Sequence, residues 1–220
     1  MFGAEEFLKT TNVSRETLNR LKAYADMLLH WQKKTNLVGS GTIDDVWWRH
    51  FYDSAQLLPL VLRSRAETST EAQLKWLDFG AGAGFPGLVV SIMGGGEVHL
   101  VESNGKKCTF MRQVIRETGA NAVVHQCRIE DLPYMKVDII TSRALASMQQ
   151  LMTFSQRFID LSTEIWLLKG QDVDEELTRL TISRNIPIER FESKTDPKGV
   201  VLRIKGCDVG GVGDANRKNV

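Results

Sequence analysis

At 220 residues, 42% hydrophobic and 25% charged, the chain can bury a full core and is most simply one domain with an appendage. Its net charge of +1 excludes a basic field over the whole surface, so any grip on nucleic acid needs a local patch. No apolar run approaches the roughly 18 residues that span a membrane, Met1 to Thr11 lacks a secretory pattern, and Cys108, Cys127 and Cys207 show no C-x-x-C spacing; a soluble, cytoplasmic chain with neither disulfides nor a metal site is expected.

Ser14 can cap a helix in which Leu18, Leu21, Tyr24 or Ala25, Leu28 and Trp31 or Leu29 recur at three-to-four spacing, which marks one buried stripe. Trp31 to Gly41 is a turn-rich break holding Lys33 and Lys34. A second helix is predicted from near Thr42 to about Val61, with Asp44 and Asp45 at its positive end. On it Arg49, His50 and Asp53 share a face, while Trp47, Phe51, Ser54 and Leu58 line another. The polar face is a candidate contact for RNA or substrate, though on pattern alone its spacing better describes a solvated face with an i, i+4 ion pair. Arg63 to Gln73 is polar and reads as a linker, so residues 1–73 form an N-terminal helical extension ahead of a main domain over 74–205.

The main domain begins with an apolar strand ending at Phe79, a turn holding Gly80, Gly82 and Gly84, and a helix opened by Pro86 and running from Leu88 to Met93. Gly82 to Gly87 literally spells G-x-G-x-x-G, a dinucleotide fingerprint, with Glu102 near the distance expected of a ribose-binding acid. That fingerprint should start where the strand stops, two residues earlier. The better register is Asp78-Phe79-Gly80-Ala81-Gly82-Ala83-Gly84, a D-x-G-x-G-x-G pattern that resembles the first motif of the S-adenosylmethionine (SAM) methyltransferases. The resemblance implies glycine backbone against the methionine part of SAM, with Asp78 ordering the loop.

Further strands are predicted at Val98 to Val101, Ala122 to His125, Val137 to Ser142 and Ile165 to Leu168, with helices after Lys106 as far as Gly119 and around Leu177 and Leu180. Ile186 to Phe191 and Val200 to Ile204 form a hairpin across Lys194 to Gly199, and 206–220 is glycine-rich, polar and expected to be disordered. The predicted fold is therefore α/β, a mostly parallel Rossmann-like sheet of class I methyltransferase layout finished by an antiparallel hairpin. NAD domains normally finish parallel.

Loops at the carboxyl ends of such strands line the ligand crevice. Glu102 there can accept both ribose hydroxyls of an adenosine, Ile129 can pack on an adenine, and Glu130 or Asp131 can approach its amino group. After the fourth strand stands Thr141-Ser142-Arg143-Ala144 rather than the N/D-P-P-Y loop of enzymes that methylate exocyclic amines, and no cysteine has the proline neighbour usual at cytosine-C5 sites. A nucleophile with a free lone pair, such as guanine N7, needs no general base. That leaves Arg143 and Lys169 as candidates for holding cofactor or RNA backbone.

Several segments together resemble one family, the bacterial 16S ribosomal RNA guanine-N7 methyltransferases, also called glucose-inhibited division protein B. They are Trp31 to Leu37, Arg49-His50 with Asp53-Ser54, Asp78 to Gly87, Glu102-Ser103-Asn104 with Lys106-Lys107 and Phe110, Arg128-Ile129-Glu130, Ser142-Arg143-Ala144 and Leu168-Lys169-Gly170. The resemblance implies that Gly80, Phe85, Ile129, Glu130 and Arg143 contact SAM and that Glu102 holds its ribose. It implies a guanine in 16S ribosomal RNA, free or in the small subunit, as substrate; Arg49, His50 and Lys169 are the candidate substrate contacts read from the residues, and a monomer is expected. Ala81 stands where the family often has Ser or Thr.

Overall fold

The computed structural model of the chain describes residues 2–66, 73–143, 146–170, 173–183 and 187–205; the tail expected to be disordered over 206–220, and Ala144, lie outside the described residues. Seven strands form one sheet in the order β3-β2-β1-β4-β5-β7-β6. They are β1 (Lys75–Phe79), β2 (Glu97–Val101), β3 (Ala122–His125), β4 (Ile139–Arg143), β5 (Glu164–Lys169), β6 (Ile188–Glu192) and β7 (Val200–Lys205). β1 to β5 pair in parallel, and β7 runs antiparallel to both β5 and β6. This is the class I methyltransferase layout expected from the sequence.

The central strand β1 buries Trp76, Leu77, Asp78 and Phe79 in succession, as a parallel strand covered on both faces must. Trp76 joins Val98, Leu100, Ile139 and Trp166 in the core beneath α2 (Arg15–Gln32), α5 (Gly87–Ile92) and α6 (Gly105–Thr118). Leu77 and Phe79 face the other core, with Ile140, Ile165 and Leu167, under α7 (Met148–Ser155) and α8 (Val173–Ser183). Ser14 caps α2 by accepting from Thr17 N–H, and Asn104 caps α6 by accepting from Lys106 and Lys107 N–H. Arg20 of α2 donates to Thr118 O and Gly119 O, placing a cation on the negative end of α6.

Three features differ from the sequence reading. A first helix, α1 (Ala4–Thr11), precedes the one expected and sends Phe7 fully into the core, 5.5 Å from the Trp47 ring. The single helix predicted from Thr42 is instead a 3-10 turn over Ser40–Thr42, a π-helical stretch over Trp47–Tyr52, the short α3 (Asp53–Ala55) and α4 (Leu57–Arg65). Two aromatic pairs run along the π-helical stretch, Trp47 stacked on Phe51 at 4.6 Å and Trp48 tilted against Tyr52 at 5.3 Å. α7 also went unpredicted, although Ser147 accepts from Gln150 N–H as its cap and Met148, Leu151, Met152 and Ser155 are buried at helical spacing. No helix among the described residues is long and apolar enough to cross a membrane.

If α1 belongs to the fold as its burial shows, Phe7→Ala should cost about 3 kcal/mol of unfolding free energy in a denaturant titration. A loss near the denaturant method's error would show that α1 detaches without consequence.

Candidate functional site

The turn between β1 and α5 takes positive φ at Gly80 (62°), Gly82 (59°) and Gly84 (94°), which fits the D-x-G-x-G-x-G register. Its backbone is fixed from several directions. Ala81 N–H donates to Val101 O at 3.0 Å, Gly82 N–H to Glu102 Oε2 at 3.0 Å, and Gly87 N–H to Asp78 Oδ2 at 3.0 Å. From the extension, the Tyr24 hydroxyl donates to Ala83 O. At Gly87 a Cβ would lie 2.5 Å from Leu100 Cδ2 and 2.8 Å from Asp78 Oδ2, so only glycine lets α5 sit this close to the sheet. At Gly82 a Cβ would meet nothing nearer than Gly80 O at 3.8 Å, so this face of the turn is open.

That open face belongs to a groove along the carboxyl ends of the strands, made of three adjoining cavities. The middle one, about 580 Å³, runs between the turn at Gly80 to Ala83 and the loop at Leu37 to Thr42, with Phe85, Glu102, Lys107 and Arg143 on its walls. On one side, through Gly80 and Glu102, it meets a cavity of about 350 Å³ beside Ile129, Glu130 and Phe154. On the other, through Arg49, Asp53 and Arg143, it meets one of about 160 Å³ beside Lys169, Thr195 and Asp196.

Glu102 lies where the two larger cavities meet, its Oε2 taking Gly82 N–H and its Oε1 taking Asn104 N–H at 2.8 Å. Each carboxylate oxygen keeps a further lone pair. Ile129 and Glu130 sit in a 3-10 turn held by Arg157, which donates to Glu130 O and Leu132 O. Arg143 stands at the end of β4 with its guanidinium 5.0 Å from the Phe85 ring centre. Its Nη2 donates to His50 Nδ1 at 3.0 Å, and its Nη1 faces Arg49 O at 3.3 Å and Asp53 Oδ2 at 3.5 Å.

Of the other sequence candidates, Asp78 and Gly84 line none of the three cavities, whereas Arg49, His50, Asp53 and Lys169 do but are mostly engaged by protein partners. Asp78 is fully buried and reaches the site only through Gly87 N–H, and Gly84 does not line the cavities, since its α-carbon turns towards Leu88 and Tyr24. His50 is also turned inward, 7% exposed, with both ring nitrogens engaged, rather than presented on a polar helix face. Asp53 points at Arg143 and Thr195 instead of forming a solvated i, i+4 pair. Lys169 borders the smallest cavity, but its Nζ donates to Ala146 O at 2.9 Å and Glu176 Oε2 at 2.8 Å. Arg49 is the exposed member, its Nη1 3.8 Å from Asp196 Oδ2.

Sequence reasoning missed Tyr24, Thr42, Arg157 and Thr195 as parts of the site. Tyr24 falls on the apolar stripe of its helix, where only its hydroxyl hints at a buried acceptor. Arg157 and Thr195 act through contacts with residues 25 or more positions away, and Thr42 through a hydroxyl set between Gly39 O and the His50 ring by a turn, none of which periodicity registers.

Burial raises Asp78 to about 7, opposed by the Gly87 hydrogen bond and by Arg143, while burial and the neighbouring Arg143 and Arg49 push His50 down to about 3. For Asp78 the folded value lies above the ordinary 3.8, so its contribution to stability is complete below that value and is lost as pH rises to about 7. Asp78→Asn keeps an acceptor for Gly87 N–H and never ionises. The variant's melting temperature should therefore gain on the wild type between about pH 4 and 7 and level off above that, whereas a gap unchanged by pH would contradict a buried acid at this position.

Residues 17–206 match the family described as rRNA small subunit methyltransferase G, the GidB family. The chain is 45% identical over 200 residues to the ribosomal RNA small subunit methyltransferase G of Rhodospirillum rubrum, an alignment covering 91% of this chain and 96% of that one. It is 42% identical over 203 residues to the protein of the same name from Paramagnetospirillum magneticum, covering 92% and 95%. Among solved structures, a mutant of MtNAS in complex with S-adenosylmethionine superposes with a TM-score of 0.54 at 18% identity, over 93% of this chain and 84% of that one. A fibrillarin/Nop5p complex also gives 0.54 at 13% identity, over 73% and 84%. These two likenesses concern the fold, whereas the match along nearly the whole chain fixes descent: the chain belongs to the rRNA small subunit methyltransferase G family.

Proposed function

We propose that the chain transfers a methyl group from SAM to N7 of a guanine in 16S ribosomal RNA, by in-line displacement without a general base. SAM-dependent methylation of small-subunit ribosomal RNA is the activity of its family. The finer reading rests on the groove, which leads from an acid-flanked cavity, past a backbone turn open at Gly82, to a smaller cavity bordered by arginines.

The residues present fit SAM. Glu102 keeps lone pairs for the ribose hydroxyls after binding its two backbone donors. Ile129 and Glu130 offer an apolar surface and a polar edge to adenine, and the backbone of Gly80 and Gly82, with Phe85 and Arg143, borders the space for the methionine part. When bound, SAM supplies an electrophilic methyl group whose transfer depends chiefly on alignment. Asp78 and Gly84 serve by fixing the turn rather than by touching the ligand.

Support for N7 comes from the charges at the arginine end. Asp53 is engaged by Arg143 and Thr195, and Asp196 lies beside Arg49, so the carboxylates lining that cavity are already committed to cations or hydroxyls. A ring nitrogen with a free lone pair has no proton to give up and is suited to such a site. Arg49 is placed to meet RNA phosphate, while Lys169 orders the loop at Ala146 and the helix carrying Glu176. In this reading residues 74–205 form the SAM-binding domain of a cytoplasmic monomer, and residues 1–73 complete one wall of its groove.

Incubating the chain with labelled SAM and unmodified small subunits or their RNA, followed by mass mapping, should yield 7-methylguanine; a methyl on another atom or no label would contradict the proposal. Glu102→Ala should weaken SAM binding about tenfold or more in calorimetry, and unchanged affinity would remove Glu102 from the ribose site.

A further inference from the structure

The geometry around His50 assigns it a role that neither family nor fold specifies. Arg143 has only donors, so the 3.0 Å contact from its Nη2 requires His50 Nδ1 to accept. The proton of the neutral ring then sits on Nε2, which lies 2.7 Å from Thr42 Oγ1. Thr42 Oγ1 in turn donates to Gly39 O at 2.7 Å. Every donor in this sequence has an acceptor and the direction is the same throughout, from Arg143 through His50 and Thr42 to the carbonyl of Gly39.

We propose that His50 is a positioning residue, which in its neutral Nε2–H form ties the Gly39–Thr42 wall of the groove to Arg143 and so fixes Arg143 between the middle and smallest cavities. The inference rests on the reading of the groove as the SAM site, since it is there that the position of Arg143 matters. A doubly protonated ring would place an N–H against the guanidinium and break the sequence at its centre. The surroundings oppose that state: Arg143 from β4 and Arg49 from its own helix are both cationic, Phe85 of the turn packs at 5.1 Å, and Asp53 is directed to Arg143 and Thr195. Burial acts in the same direction.

The ring is tied from outside as well. Gln32 at the end of α2 accepts from Leu37 and Val38 N–H and donates to Val38 O, fixing the chain that leads into Gly39. Ser54 Oγ donates to His50 O at 2.7 Å and holds the π-helical stretch that carries it. A loop and a strand end separated by about a hundred residues of sequence are thus joined through one imidazole.

The test combines a spectroscopic and a binding measurement on the full chain. Nitrogen-15 correlation spectra of histidine-labelled wild type should show His50 as the neutral Nε2–H tautomer at pH 7 and still at about pH 5. In calorimetry with SAM, His50→Ala should raise the dissociation constant about tenfold, and His50→Gln, whose amide supplies one acceptor and one donor, should recover most of that loss. Thr42→Val, which leaves the ring in place, should shift the tautomer signals and weaken binding severalfold. An Nδ1–H or cationic His50 at pH 7, or a glutamine variant as weak as the alanine one, would overturn the proposal. Should the alanine variant not fold, the wild-type spectrum and Thr42→Val decide alone. Failure of the wild type to bind SAM would strike the reading of the groove and leave the tautomer result standing.

Discussion

The site depends on the backbone of one glycine turn being held by groups outside it. Positive φ at Gly80, Gly82 and Gly84 makes the turn tight, but three freely rotating glycines would not stay in one shape unaided. Glu102 from the end of β2, Asp78 from β1 and Tyr24 from α2 each take or give a hydrogen bond to it. Two of these carry a second obligation. Glu102 also receives Asn104 N–H at the start of α6, and Tyr24 stacks on Phe85 at 5.2 Å. The shape of the turn is therefore set jointly by the sheet and by the N-terminal extension.

The extension is consequently part of the groove rather than an ornament on the sheet. Its π-helical stretch brings Asp53 and His50 to Arg143, while Trp48 Nε1 donates to Thr195 O and Gln56 Oε1 accepts from Lys194 N–H. The same helices thus dock on the loop between β6 and β7, whose residues border the smallest cavity. Inserted π-helical turns recur at functional sites because the wider turn re-aims side chains without unwinding the helix. Here the side chains so aimed converge on the arginine at the end of β4.

Much of this was legible from residues alone. The apolar strands, the register of the glycines and the position of Glu102 follow from backbone sterics and strand geometry, and these place the groove. The chemistry was carried by the resemblance of ordered motifs to a known family, not by composition. What escaped was of two kinds. α1 and α7 are short, eight residues each, and offer only one or two turns of periodicity. The orientation of His50, the tether of Lys169 to Glu176 and the grip of Arg157 on the Ile129 turn depend on long-range contacts, and a helical wheel drawn at 3.6 residues per turn misplaces side chains where the helix widens.

A crystal structure of the chain with S-adenosylhomocysteine, the product left after methyl transfer, tests the central claim most directly. The ribose should lie on Glu102, the adenine beside Ile129 and the amino-acid end against Gly80 to Ala83, with the turn keeping its present hydrogen bonds. A ligand bound elsewhere, or a turn that abandons Asp78, Glu102 and Tyr24 to accept it, would contradict a site built around a preformed glycine turn.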